Sequence, residues 1–244
     1  MNAVIFDLDG TLQSLEIDFH GLRAKLSGLF EGYGHPPLEG PLLEAVEKAL
    51  LDLSANGMPA PGVLDARQRA IHIMDSWEMA AYPNARTFPG IQEALSELSS
   101  RGFGLAVQSR ACRAFVHRSL ERIGFAFDLV AAREDVGRPK PDPEGIHLIL
   151  GKLRCPVENA VVVGDHPFDI QAGKRAGILC AGVLTGAGTE ENLVRAGADM
   201  VFEKVGPELV NWIKGTGYRV QGSGYDERKN TIIATTVSRR RSQS

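Results

Sequence analysis

Cysteine is scarce, with only Cys112, Cys155 and Cys180 in 244 residues, odd in number, widely spaced and without a CxxC pair. Neither a disulfide framework nor a structural zinc site is indicated, and a reducing cytoplasm is the expected setting. Long apolar runs are missing as well. No stretch approaches the roughly 18 residues that a bilayer span needs, so no membrane association is expected. The amino terminus enters a strand-like segment within a few residues, so no signal peptide is expected. A large charge excess of either sign is also absent. The formal net charge is -3, which argues against a generally basic nucleic-acid surface, so a bound anion has to be held by local positive groups. What remains is an ordinary globular composition, 43% apolar and 23% charged. A chain this long buries roughly 70% of its unfolded surface as one large domain or as a core with a smaller companion, and needs no metal or disulfide merely to fold.

The most informative stretch is Val4 to Leu12, VIFDLDGTL. Val4, Ile5 and Phe6 read as a buried strand that runs straight into Asp7, Leu8, Asp9 and Gly10. Side chains alternate along a strand, so Asp7 and Asp9 point to the same side at its carboxyl end, Gly10 permits a sharp turn and Thr11 offers a hydroxyl. Two carboxylates that close repel. They persist when a cation lies between them or one keeps a proton, and catalysis uses both arrangements. The plain alternative is a polar turn ending a strand.

Further on, the pattern turns helical. Ile17, Leu22, Leu26 and Leu29 recur at helical intervals over Leu15 to Leu29; GYGHPP at Gly32 to Pro37 breaks the pattern, and a second helix carries Leu42, Leu43, Val46, Leu50 and Leu53. A third runs from Val63 to about Ala81. Residues 14–83 therefore read as a helical module inserted after the first strand, within a core formed by 1–13 and 84–214. Past Phe88, helices and strands alternate: helix from Pro89, strand Gly104 to Gln108, helix Ala111 to Ile123, strand Leu129 to Ala132, helix Asp142 to Leu153. Strand Ala160 to Val163, helix Ile170 to Ala176, strand Leu179 to Leu184 and a helix and strand near Glu190 to Phe202 complete the series. The expected fold is α/β, a doubly wound parallel sheet covered on both faces, with ligands beyond the carboxyl ends of its strands, where Asp7, Ser109 and Asp165 fall. Residues 215–244 do not fit. They hold a glycine-rich run, a β-like stretch from Thr231 to Val237 and Arg239, Arg240 and Arg241 among serines, read here as a solvated tail.

Four clusters stand at strand ends in a fixed order: DLDGT with Asp7 and Asp9, QSR with Ser109, GRPKPDP with Lys140, and VVVGDHPFD with Asp165 and Asp169. Together they resemble the haloacid dehalogenase superfamily, in particular its phosphatase-like branch with a helical cap, the phosphoglycolate phosphatase and β-phosphoglucomutase group. The resemblance covers Asn2 to about Ile213. It implies a Rossmann-like core with an inserted cap and a Mg²⁺-dependent phosphatase acting on a small phosphorylated metabolite, as a monomer or homodimer. By the same resemblance Asp7 is the nucleophile that forms an aspartyl-phosphate, and Asp9 the acid and base. Ser109 and Lys140 hold the phosphoryl oxygens, with Gly10, Thr11 and Arg110 beside them. Mg²⁺ is held by Asp7, the Asp9 backbone carbonyl and Asp165, with Asp169 as a further ligand or an orienter. Dehalogenase members lack the second aspartate, so Asp9 turns the reading towards phosphate chemistry.

Some residues depart from the family's pattern. Arg110 follows Ser109 where relatives often carry a small or amide residue, and QSLEIDF follows DGTL in place of the DS-containing form frequent in phosphoglycolate phosphatases. His166 is read as a neighbour of the site rather than a metal ligand. Arg23, Lys25 and Arg67 of the insert either reach a substrate or belong to a solvated helix face. Two other functions fit the same motifs: a phosphosugar mutase, and a phosphate-ligand binding protein without turnover.

Overall fold

The computed structural model describes residues 2–215. The β-like stretch and the arginines of the tail lie outside the described residues. Strand β1 (Asn2–Phe6) occupies the centre of the sheet, and Ala3 through Phe6 are fully buried. It is paired in parallel on both sides, which is why its sequence is continuously apolar instead of alternating.

The chain then leaves the sheet through β2 (Gln13–Ser14) and enters α1 (Phe19–Glu31), α2 (Leu42–Ala55) and α3 (Ala60–Ala81), returning through β3 (Arg86–Thr87). Helix α1 starts four residues later than its apolar pattern predicts. Asp18 is the reason, since its Oδ1 accepts the Gly21 N–H at 2.8 Å and caps the helix. The three helices enclose their own apolar core, with Leu26, Phe30, Leu50, Ala66 and Ala70 packed together. β2 and β3 pair antiparallel, Gln13 opposite Thr87 and Ser14 opposite Arg86, so both connections of the helical module run side by side as one ribbon.

The rest of the chain alternates: α4 (Ile91–Ser100), β4 (Phe103–Gln108), α5 (Arg113–Ile123), β5 (Leu129–Ala131), α6 (Glu144–Leu153) and β6 (Ala160–Gly164). It continues through α7 (Pro167–Ala176), β7 (Leu179–Val183), α8 (Glu190–Ala196), β8 (Met200–Phe202) and α9 (Pro207–Gly215). Helix α7 begins three residues before the predicted Ile170. His166 is its N-cap and Pro167 occupies the first turn, where a missing N–H costs nothing. Helix α5 begins two residues late because the Ala111 N–H turns back to Ser109 Oγ at 3.1 Å.

The sheet order is β5-β4-β1-β6-β7-β8, with every neighbouring pair parallel. Helices α4, α5 and α9 cover the face carrying Val4 and Phe6, while α6, α7 and α8 cover the face carrying Ala3 and Ile5. From β1 the chain winds outward to β4 and β5, then recrosses to β6 and winds outward the other way. That reversal opens a crevice beyond the carboxyl ends of β1 and β6, the place where a doubly wound sheet binds ligands.

Candidate active site

Asp7 follows β1, Ser109 follows β4 and Asp165 follows β6, so neighbouring strands bring all three to one edge. Lys140, from the loop before α6, completes the cluster. Its Nζ donates to Asp7 Oδ1 at 2.5 Å, Asp169 Oδ1 at 2.6 Å and the Gln108 carbonyl at 3.0 Å. All three ammonium hydrogens are thus committed, on a side chain only 3% exposed. Burial works against its charged form, but Asp169 and Asp7 outweigh burial and hold its pKa above the ordinary lysine value.

The carboxylates are unequally satisfied. Asp165 accepts Thr11 Oγ1 at 3.0 Å and the Ala187 N–H at 2.9 Å. Asp169 Oδ2 accepts the His166 N–H at 3.0 Å, so both of its oxygens are engaged and it orients Lys140. Among the described residues, the Asp7 side chain is held through Oδ1 alone. Burial pushes the Asp7 carboxyl well above the usual range, against the pull of Lys140 and with the push of Asp169 and Asp165. Asp165 is raised by burial and by Asp169. Asp9 is pushed up to about 7, chiefly by burial, with a hydrogen bond from Gln13 opposing the rise. A carboxyl that titrates near neutrality can both give and take a proton.

Two glycines make room for the cluster. Gly10 turns with φ +88°, and a Cβ there would meet the Asp165 carboxylate at 2.5 Å. At Gly186, in the loop after β7, a Cβ would fall 2.0 Å from Asp165 Oδ2.

Asp7, Asp165 and Asp169 offer oxygens within 4.8 Å of one another. Three carboxylates against one ammonium leave the cluster short of positive charge, and the donors are hard oxygens. That chemistry fits a divalent cation of the Mg²⁺ or Ca²⁺ type rather than a thiolate-seeking metal. A second acidic group, Asp75, Glu78 and Cys112, carries a smaller deficit, two carboxylates against one guanidinium. Arg133 bonds Asp75 and Glu78, and the Cys112 N–H donates to Glu78 Oε2 at 2.7 Å.

The other expected site residues divide. Ser109 lines the cavity, and its hydroxyl accepts the Ala111 N–H, leaving its own hydrogen to donate. Thr11 is fully buried and its hydroxyl donates to Asp165, bracing that carboxylate. Arg110 lines the cavity, but Glu44 of α2 takes its guanidinium at 2.8 and 2.9 Å and Phe168 lies beneath it at 5.1 Å. His166 Nδ1 accepts the Phe168 N–H and caps α7. Of the three basic residues of the insert, Arg23 borders the cavity, Lys25 is exposed elsewhere and Arg67 is paired with Glu47. Sequence reasoning passed over Gln13, Glu78, Arg133 and the Thr185–Ala187 loop. Only the loop carried a signal, a glycine-rich turn directly after a strand.

Fold and site define a Rossmann-like α/β protein with a carboxylate and lysine cluster at its switch point. Residues 43–183 match the family described as haloacid dehalogenase-like hydrolase, and the chain belongs to that family. The match begins after Asp7 and Asp9 and contains Ser109, Lys140, Asp165 and Asp169. The pyrophosphatase PpaX of Bacillus velezensis is 29% identical over 84% of this chain and 93% of its own length. The validoxylamine A 7'-phosphate phosphatase of Streptomyces hygroscopicus subsp. limoneus is 32% identical over 82% of this chain and 92% of its own. In fold, the chain matches a hydrolase from Pseudomonas syringae with a TM-score of 0.63 and 21% identity, over 88% of this chain and 98% of that one.

Proposed function

We propose that the protein is a Mg²⁺-dependent phosphatase that hydrolyses a small phosphorylated metabolite through an aspartyl-phosphate on Asp7. One arrangement carries the reading: Asp7, oriented by Lys140, stands two residues from Asp9, whose carboxyl Gln13 fixes at 2.8 Å and burial pushes up to about 7. A binding protein has no use for a poised acid beside a nucleophile. The relatives named for phosphatase and pyrophosphatase activity agree with it.

Asp7 Oδ2, which takes no hydrogen bond from the described residues, attacks phosphorus in line, forming an O–P bond as the ester O–P bond breaks. Asp9 gives its proton to the departing oxygen. In the second half Asp9 takes a proton from water as that water attacks phosphorus, releasing orthophosphate and the Asp7 carboxylate. Ser109 donates to an equatorial oxygen, and the Lys140 ammonium, held by Asp7, Asp169 and the Gln108 carbonyl, acts on those oxygens as a positive charge where negative charge accumulates. Asp7, the Asp9 carbonyl and Asp165 would hold Mg²⁺, which when bound would neutralise charge on those oxygens so that a carboxylate could approach an anion. Asp169 keeps Lys140 in place. The helical module, residues 14–83, acts as a lid that excludes bulk water. A reducing cytoplasm suits the three unpaired cysteines.

Phosphate release from a panel of phosphorylated metabolites with Mg²⁺ tests this directly. Release that disappears in Asp7→Asn and in EDTA supports the mechanism. Release that survives Asp7→Asn refutes it, and no release from any compound refutes hydrolysis.

A further inference from the structure

The cavity that begins at the acid cluster has a volume of about 710 Å³ and continues beneath the helical module. A volume of this order holds a ligand much larger than a phosphate ion. Away from the acids its wall is apolar, formed by Leu15, Ile17, Phe19, Leu42, Leu43 and Phe168. Phe19 opens α1 and is 62% exposed, a costly placement for a large ring on a helix whose other apolar side chains pack inward. Neither Ile17 nor Phe19 belongs to the module's apolar core, so both are left for something that enters the cavity.

The charges along the wall sharpen the point. Arg110 is taken by Glu44, Arg133 by Asp75 and Glu78, and Lys140 by Asp7 and Asp169. Arg23 spends its two terminal nitrogens on the Leu38 and Gly40 carbonyls. Acids line the same cavity at Asp7, Asp9, Glu78, Asp165 and Asp169. One phosphoryl group meets the Ser109 hydroxyl and the positive charge of Lys140. Among the described residues most of the wall's positive charge is thus paired with acid, the exceptions being Arg23, bonded to neutral carbonyls, and the histidines His20 and His166.

We infer that the preferred substrates are phosphate monoesters whose alcohol carries an apolar body, alkyl or aromatic, packed on Ile17 and Phe19. Phosphoryl compounds without such a body, inorganic pyrophosphate and 2-phosphoglycolate among them, are then poorer substrates. This rests on the phosphatase reading and adds the class of leaving group to it.

The test compares kcat/KM, with Mg²⁺ present, for ethyl phosphate, 2-phenylethyl phosphate, 2-phosphoglycolate and inorganic pyrophosphate, with acetyl phosphate as a small activated control. The two simple alcohols leave with similar ease, so their ratio reads the apolar wall. The expected result is a preference of about tenfold or more for 2-phenylethyl over ethyl phosphate, with 2-phosphoglycolate and pyrophosphate below 2-phenylethyl phosphate. Phe19→Asp, a change at an exposed position that keeps a residue favoured near a helix N-terminus, is expected to bring that ratio close to one. Equal or better turnover of 2-phosphoglycolate or pyrophosphate overturns the inference while leaving a phosphatase. An unchanged ratio in Phe19→Asp also overturns it. Failure to turn over acetyl phosphate and all four other compounds removes the phosphatase reading itself, and the inference with it.

Discussion

Gln13 Nε2 lies 2.8 Å from Asp9 Oδ1 and 3.0 Å from Ser119 Oγ, while Gln13 Oε1, fully buried, has no partner among the described residues. One amide therefore fixes the rotamer of the acid and base, and it belongs to the ribbon through which the chain enters the helical module. Replacing Gln13 with Met keeps the length of the side chain and removes the donor. The expected loss in kcat is about tenfold with KM little changed, as for an oriented acid set loose. Stability should hold within about 1 kcal/mol, because the lost hydrogen bonds are offset by removal of an unsatisfied buried oxygen. A kcat equal to wild type would show that Asp9 does not need this tether.

Lys140 joins two buried carboxylates, and its removal leaves both without a countercharge. For Lys140→Met in EDTA we expect a loss of about 3 kcal/mol, the usual cost of breaking a buried pair from one side. For a chain of this size that is a fall of roughly 6–12 °C in Tm. Adding Asp169→Asn to the same protein should recover part of it, since one orphaned charge is gone. Thermal melts of the two single variants and the double variant decide the matter. Strict additivity would mean that Lys140 and Asp169 do not stabilise one another.

Much of this was legible in the sequence because backbone rules fix it. The apolar run ending in Asp7 specified a buried strand, and alternating elements specified a parallel sheet whose strand ends had to bring Asp7, Ser109 and Asp165 together. Lys140 and Asp169 came from the family resemblance, and the structure then put them within hydrogen-bond reach of each other and of Asp7. Side-chain commitments were another matter. Thr11 and Arg110 look free as letters, yet one is taken by Asp165 and the other by Glu44, partners 154 and 66 residues away. Arg133 and Glu78 sit 55 residues apart and join the core to α3 through a pairing that no local pattern encodes. Helix starts shifted where one polar group decided the cap, as with Asp18 and His166.

A divalent cation should stabilise the protein by mass action, because it meets the Asp7, Asp165 and Asp169 cluster only in the folded chain. At a concentration of about a hundred times Kd the gain is about 2.7 kcal/mol. Mg²⁺ is therefore expected to raise Tm by several degrees, Na⁺ at matched ionic strength to do nothing comparable, and Asp165→Asn to abolish most of the effect. A Tm shift that persists undiminished in Asp165→Asn would place the cation elsewhere.

Asp9 makes the metal-free protein less stable as pH rises. Its carboxyl moves from an ordinary 3.8 to about 7 on folding, mainly through burial, so the folded chain binds a proton that the unfolded chain has lost. The contribution is fully present below the unfolded value, is lost as pH climbs towards 7, and stays lost above it. Asp9→Asn can still accept the Gln13 hydrogen bond but has no proton to lose. In EDTA the variant and the wild type should therefore differ little near pH 4 and diverge on the way to pH 8. There Asp9→Asn is expected to be more stable by about 2 kcal/mol, a figure reduced from the full shift because some water still reaches the group. Asp7 and Asp165 titrate in both proteins and largely cancel in the comparison. Paired melts across that range check the sign. A gap between the two proteins that does not change with pH would mean that Asp9 is ionised throughout and is not the group poised to move a proton.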